Sequence, residues 1–209
     1  MIILVSGKMG SGKSTLSRNL KLRFEADGFE VLYVRFAAPL YEMHDRVLGV
    51  LSDLGIPVPK KDGKLLQLLG TDWGRAEFGD NIWVNLTRKK IEWFMSGENP
   101  EKRVVILDDC RFKNELFGFP EAFKVRLVCD RDARKGRADA WRESENHQSE
   151  VDLDDVGQDA FDIVLDTGLY TSGEVVQNVY VHSLMVGATN GEVQINPENL
   201  GRGYKINRL

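Results

Sequence analysis

The chain is poor in cysteine, with only Cys110 and Cys129 in 209 residues. Both lie in or beside apolar runs and their spacing fits no zinc motif, so buried free thiols are expected rather than a disulfide scaffold. No apolar run is long enough to span a bilayer, and the N-terminus enters a strand-like run at once, with no signal peptide in view. These absences set the expectation of a cytoplasmic protein with no membrane partner. A large charge of one sign is lacking too. The formal net charge is −4 with 29% charged residues, so nothing global marks a nucleic-acid binder. There is no internal repeat and no low-complexity tract. A 42% hydrophobic chain of this length suits one α/β domain with excursions and is short for two cores.

What is present is organised around Gly7-Lys8-Met9-Gly10-Ser11-Gly12-Lys13-Ser14, which fits the P-loop pattern G-x-x-x-x-G-K-[ST]. The context agrees. Ile2-Ile3-Leu4-Val5 reads as a buried parallel strand. Thr15 to Asp27 reads as a helix with Leu16, Leu20 and Phe24 on one face, stopped by Gly28. Glycines let backbone N–H groups wrap a phosphate chain, and the helix N-terminus favours an anion. Lys8, Met9, Gly10, Ser11, Gly12, Lys13, Ser14 and Thr15 are the candidate ATP-binding residues. Lys13 would reach the β- and γ-phosphates and the Ser14 hydroxyl would ligate Mg²⁺.

Further strands are expected at residues 30–36, 104–109, 124–129 and 161–165, and helices near residues 40–51, 81–94 and 170–185. The block between the second and third strands is too long for a simple crossover and reads as a helical subdomain over the sheet's carboxyl edge. Val104-Val105-Ile106-Leu107-Asp108-Asp109 is an apolar run ending in acids, where one carboxylate can hold Mg²⁺; the pattern leaves Asp108 and Asp109 both open. Asp130 to Glu150 carries Arg131, Arg134, Lys135, Arg137 and Arg142 with few apolar residues besides Trp141. It is either a solvated charged helix or an arginine flap that closes over phosphates. Thr189-Asn190-Gly191-Glu192 looks like a hairpin turn, and the tail that holds it could be an appended hairpin, an oligomer contact or a disordered end.

Several stretches, in order, resemble the bacteriophage deoxynucleoside monophosphate kinases. They are Phe36-Ala37-Ala38-Pro39-Leu40, Leu65 to Arg75 followed by Asn81-Ile82-Trp83-Val84, Asp109-Cys110-Arg111-Phe112-Lys113-Asn114-Glu115, and His147-Gln148-Ser149-Glu150. The likeness extends through about Thr167 and leaves out the tail. It implies an α/β P-loop NTPase three-layer fold of nucleoside-monophosphate-kinase type, with a parallel sheet of order 2-3-1-4-5, a helical acceptor subdomain and an arginine-rich lid. The domain would run over residues 1–186, with insertions at 38–98 and 130–150, before a tail at 187–209. The implied partners are small-molecule nucleotides: ATP with Mg²⁺, and a deoxynucleoside 5′-monophosphate as phosphoryl acceptor, with a homodimer left open.

By position, the resemblance puts Asp109 with Ser14 at the metal, and Lys13, Asp109, Arg111, Arg134 and Arg137 at the chemistry. It puts Arg131 on ATP, and Pro39, Gln67, Arg75, Arg111, Trp141 and Glu150 on the acceptor. Arg75 and Arg111 would grip the acceptor's phosphate; Trp141 would stack on a base or sit in the core. The chain departs from the family at Tyr41, where lysine is common, and at Gln148, where proline is common. The rival readings are another small P-loop kinase, of nucleoside or dephospho-coenzyme A type, and a regulatory ATPase with a macromolecular partner.

Overall fold

The computed structural model describes residues 1–137 and 148–191. Trp141 and Arg142, and the tail beyond Gly191, lie outside the described residues. In chain order the elements are β1 (Ile2–Gly7), α1 (Lys13–Ala26), β2 (Glu30–Val34), α2 (Ala38–Asp53), α3 (Gly63–Gln67), a π-helix (Leu68–Arg75), a single turn α4 (Ala76–Phe78) and α5 (Ile82–Met95). Then follow β3 (Arg103–Cys110), α6 (Lys113–Phe117), β4 (Phe123–Val128), α7 (Arg131–Arg137), α8 (Gln148–Val151), β5 (Ile163–Asp166) and α9 (Ser172–Thr189).

All strand pairs are parallel and the sheet order is β2-β3-β1-β4-β5, as the family resemblance implies. The period of two in a strand explains the layers. Ile3 and Val5 of β1, with Val104 and Ile106 of β3, face Leu16, Leu20 and Phe24 of α1 and Val179 and Leu184 of α9. Ile2, Leu4, Val105 and Leu107 face the other way, onto Val84, Ile91 and Phe94 of α5 and Leu116 of α6. Both faces are apolar because both are covered, which is why these strands read as continuous apolar runs.

α1 ends as its sequence suggests. Gly28 takes a left-handed φ of 84°, Phe29 N–H bonds back to Phe24 O at 3.0 Å, and the two phenyl rings meet edge to face. The C-terminal end corrects one expectation. Thr189, Asn190 and Gly191 do not turn a hairpin but finish α9, with Asn190 N–H on Val186 O and Gly191 at φ 75°. The boundary drawn at residue 186 therefore falls inside that helix. A glycine in a left-handed conformation ends a helix as readily as it turns a hairpin, and the letters do not separate the two.

Two irregularities shape the carboxyl edge of the sheet. Leu4 pairs with Leu107 but Ser6 pairs with Cys110, so β3 carries an extra residue at Asp108–Asp109. The second is the π-helix Leu68–Arg75, held by Trp83 Nε1–H donating to Gly70 O at 3.1 Å. Gly74 leaves room for that indole, since a Cβ there would stand 2.6 Å from the Trp83 ring.

Candidate active site

The P-loop joins β1 to α1, whose N-terminus at Gly12 has no side-chain cap. Gly10 has φ 77°, and a Cβ on it would stand 2.5 Å from the Arg134 carbonyl oxygen. The loop thus needs glycine for its own turn and for the close seat of α7. Gly10→Ala should cost about 2 kcal/mol or more and lower the melting temperature by about 4–8 °C, read by circular dichroism. An unchanged melt would show that the α7 root does not rest on the loop.

Lys13 is only 8% exposed. Its ammonium donates to Gly7 O and to Lys8 O. Burial, and then the nearby Arg111 charge, bring its pKa down to about 8. Ser14 and Thr15 begin α1 and are exposed.

The bulge gives the two acids different surroundings. Asp108 is buried and accepts from the Tyr33 hydroxyl and, at 3.0 Å, from Arg35 Nε. Burial and that carboxylate push the Tyr33 phenol up to about 12. Asp109 accepts Phe36 N–H at 2.8 Å and Ala37 N–H at 3.3 Å, tying the bulge to the β2–α2 connection just before Pro39. Burial raises its pKa and the two N–H bonds oppose the rise. Both carboxylates act on the charge of Lys13. A hydroxyl and a carboxylate are the oxygen donors a hard cation takes, and here the Asp108 oxygens are engaged by Tyr33 and Arg35 and those of Asp109 by two main-chain N–H groups. Among the described residues, no group of three or more His, Cys, Asp or Glu forms a metal site of its own.

Arg111 and Arg75 come from separate elements. Arg111 follows directly on β3, and Arg75 ends the π-helix with its guanidinium 4.7 Å above the Phe112 ring. Arg75 Nε is buried with no hydrogen-bond partner among the described residues. Glu115, in α6, accepts Arg111 N–H at 2.8 Å and Phe112 N–H at 3.1 Å. Burial lifts its pKa to about 8, against the pull of the two N–H bonds and of the Arg75 charge. Gln67 is exposed at the end of α3, and Pro39 is half-buried in the first turn of α2.

Glu150 lies against the P-loop. It is 7% exposed, accepts the Met9 N–H of the P-loop at 2.7 Å, and pairs with Arg111. Neighbouring acids hold the same region: Asp154 pairs with Lys8 at 2.7 Å, and Asp152 accepts Lys113 N–H at 2.8 Å. Residues 150–155 therefore form a strap over the P-loop and the β3–α6 turn.

The described part of the arginine segment is a helix whose arginines do different things. Asp130 caps it through Asp132 N–H at 2.8 Å. Arg131 is exposed, whereas Arg134 is 8% exposed and donates to Cys129 O and Met9 O. Arg137 donates to Thr167, whose hydroxyl in turn donates to Ser11 O at 3.0 Å. Arg134 and Arg137 thus meet the P-loop from its β4–β5 side.

A cavity of about 250 Å³ lies against the P-loop, lined among others by Ser6, Lys8, Arg111, Arg126 and Glu150. Both free cysteines border it, and burial keeps the Cys110 thiol well above its usual range. Sequence reasoning missed Tyr33, Arg35, Glu115 and Thr167. Only Glu115 carried a signal, at the end of the Asp109–Glu115 stretch.

The sheet order and the loop define the chain as an α/β protein with the P-loop NTPase fold of nucleoside-monophosphate-kinase type. No protein-family model and no curated protein matches it. Among solved structures it is similar to a gluconokinase from Sinorhizobium meliloti 1021, at 15% identity and TM-score 0.48 over 90% of this chain and 94% of that one. It is also similar to a shikimate kinase from Acinetobacter baumannii in complex with shikimate, at 15% identity and TM-score 0.46 over 90% and 93%.

Proposed function

We propose that the chain transfers the γ-phosphoryl group of ATP to a deoxynucleoside 5′-monophosphate, giving the diphosphate and ADP. The observation that carries this reading is Arg75, whose guanidinium, with a buried nitrogen left unbonded among the described residues, lies 4.7 Å above the ring of Phe112, one position on from Arg111, whose charge acts on the P-loop lysine. A planar, permanently charged fork suits a phosphate dianion better than a neutral hydroxyl. The acceptor's phosphate oxygen is already ionised, so attack in line on the γ-phosphorus needs no strong general base. The rate then comes from positioning and charge stabilisation.

In this reading the P-loop N–H groups and Lys13 hold the donor phosphates, and Arg131, Arg134 and Arg137 lie on the ATP side. Ser14, with Asp109 or its neighbour Asp108, would hold Mg²⁺, which supplies neutralisation of phosphate charge when bound. Glu150 now sits where its carboxylate satisfies a loop N–H and Arg111, as a phosphate oxygen would. The test is ADP release with ATP, Mg²⁺ and each deoxynucleoside monophosphate, with matching nucleosides and no acceptor as controls. Stimulation by nucleosides but not by monophosphates would replace this reading with that of a nucleoside kinase.

A further inference from the structure

We infer that Glu115 is the positioning residue for the phosphate-gripping arginines, fixing Arg111 through the main chain and Arg75 through the Phe112 ring. The inference rests on the proposed phosphate acceptor. Glu115 is 6% exposed, and one of its oxygens, Oε2, accepts two consecutive N–H groups, those of Arg111 and Phe112. A glutamate at the third helical position ordinarily reaches back to one N–H, that of the residue capping the helix. Here it also takes the N–H of the residue before. The second bond sets the backbone from which the Arg111 side chain leaves the sheet. The first holds Phe112 in an extended conformation, φ −118° and ψ 151°, with its ring under the Arg75 guanidinium. One buried carboxyl thereby ties the backbone of one cation and the ring beneath the other, though the two arrive from different parts of the chain. Without it, both N–H groups lose their partner, and the turn that carries Arg111 and Phe112 loses its tie.

The turn keeps other anchors, so removing Glu115 should not unfold it. Leu116 is fully buried in the core, Lys113 N–H bonds to Asp152, and Asn114 Nδ2 donates to Asp80 O at 3.0 Å and Asn81 Oδ1 at 3.1 Å. The effect should therefore fall on the arginines rather than on the fold at large. A displacement of this kind, away from the reacting atoms, can cost about a hundredfold.

The experiment is steady-state kinetics of full-length Glu115→Ala and Glu115→Gln with the deoxynucleoside monophosphate that best stimulates the wild type. Glu115→Ala should raise the acceptor KM by about tenfold to a hundredfold and leave the ATP KM unchanged. Glu115→Gln, a neutral isostere whose carbonyl can accept both N–H groups, should restore the acceptor KM. In Arg75→Ala/Glu115→Ala the KM rise should be smaller than the product of the single effects. Glu115→Asp, one methylene too short to reach both groups, gives the same reading if the alanine variant does not fold. An unchanged acceptor KM in the alanine variant would overturn the assignment, as would an equal rise for ATP or no rescue by glutamine. A wild type that no monophosphate stimulates would take down the acceptor reading, and this assignment with it. That outcome is visible before any variant is made.

Discussion

Lys13→Ala should lower kcat by about a hundredfold to a thousandfold, the scale on which removal of one preorganised charge from a developing anion is felt. The structure shows why the loss should be chemical rather than structural. The ammonium is held by two loop carbonyls, Gly7 O and Lys8 O, in a site whose burial and whose neighbour Arg111 both disfavour its charge. Removing it relieves a buried cation, so the melting temperature should stay close to that of the wild type. Phosphate arriving at the loop would reverse the balance by giving the ammonium an anion. The check is a thermal melt beside turnover at saturating ATP. A variant that keeps its melt and most of its turnover would remove Lys13 from the phosphoryl path.

Arg75→Ala should raise the acceptor KM by about tenfold to a hundredfold, the worth of one charge-assisted hydrogen bond to phosphate, with the ATP KM unchanged. The guanidinium lies over the Phe112 ring with its buried Nε unbonded among the described residues, which leaves that donor for an acceptor phosphate. Arg75→Lys should not rescue, because a point charge cannot reproduce a fork stacked on a ring. The measurement is KM for ATP and for the acceptor in each variant. Equal KM and kcat in wild type and Arg75→Ala would move the acceptor site elsewhere on the carboxyl edge of the sheet.

The parts of this structure that were legible in the sequence are those governed by period and by local stops. β1 and β3 are runs covered on both faces, α1 shows Leu16, Leu20 and Phe24 on one stripe, and Gly28 ends it in the conformation that glycine favours. Other features depend on how distant segments meet. The bulge at Asp108–Asp109 arises from the register of β3 against β1, which no local pattern carries. The π-helix before Arg75 depends on Trp83 reaching Gly70, thirteen positions away. The placing of Glu150 on the P-loop required a segment 141 positions away to fold back over it. Pairing of Asp108 with Arg35 and Tyr33 likewise needs β2 and β3 side by side.

The most direct test of the central claim is acceptor-dependent ADP release from ATP and Mg²⁺, run with each deoxynucleoside monophosphate, the matching nucleosides, and no acceptor. Strong stimulation by one or more monophosphates, and not by the nucleosides, is the result the arginine pair predicts. ATP bound but hydrolysed at the same slow rate whatever acceptor is added would contradict it and turn the search to a macromolecular partner.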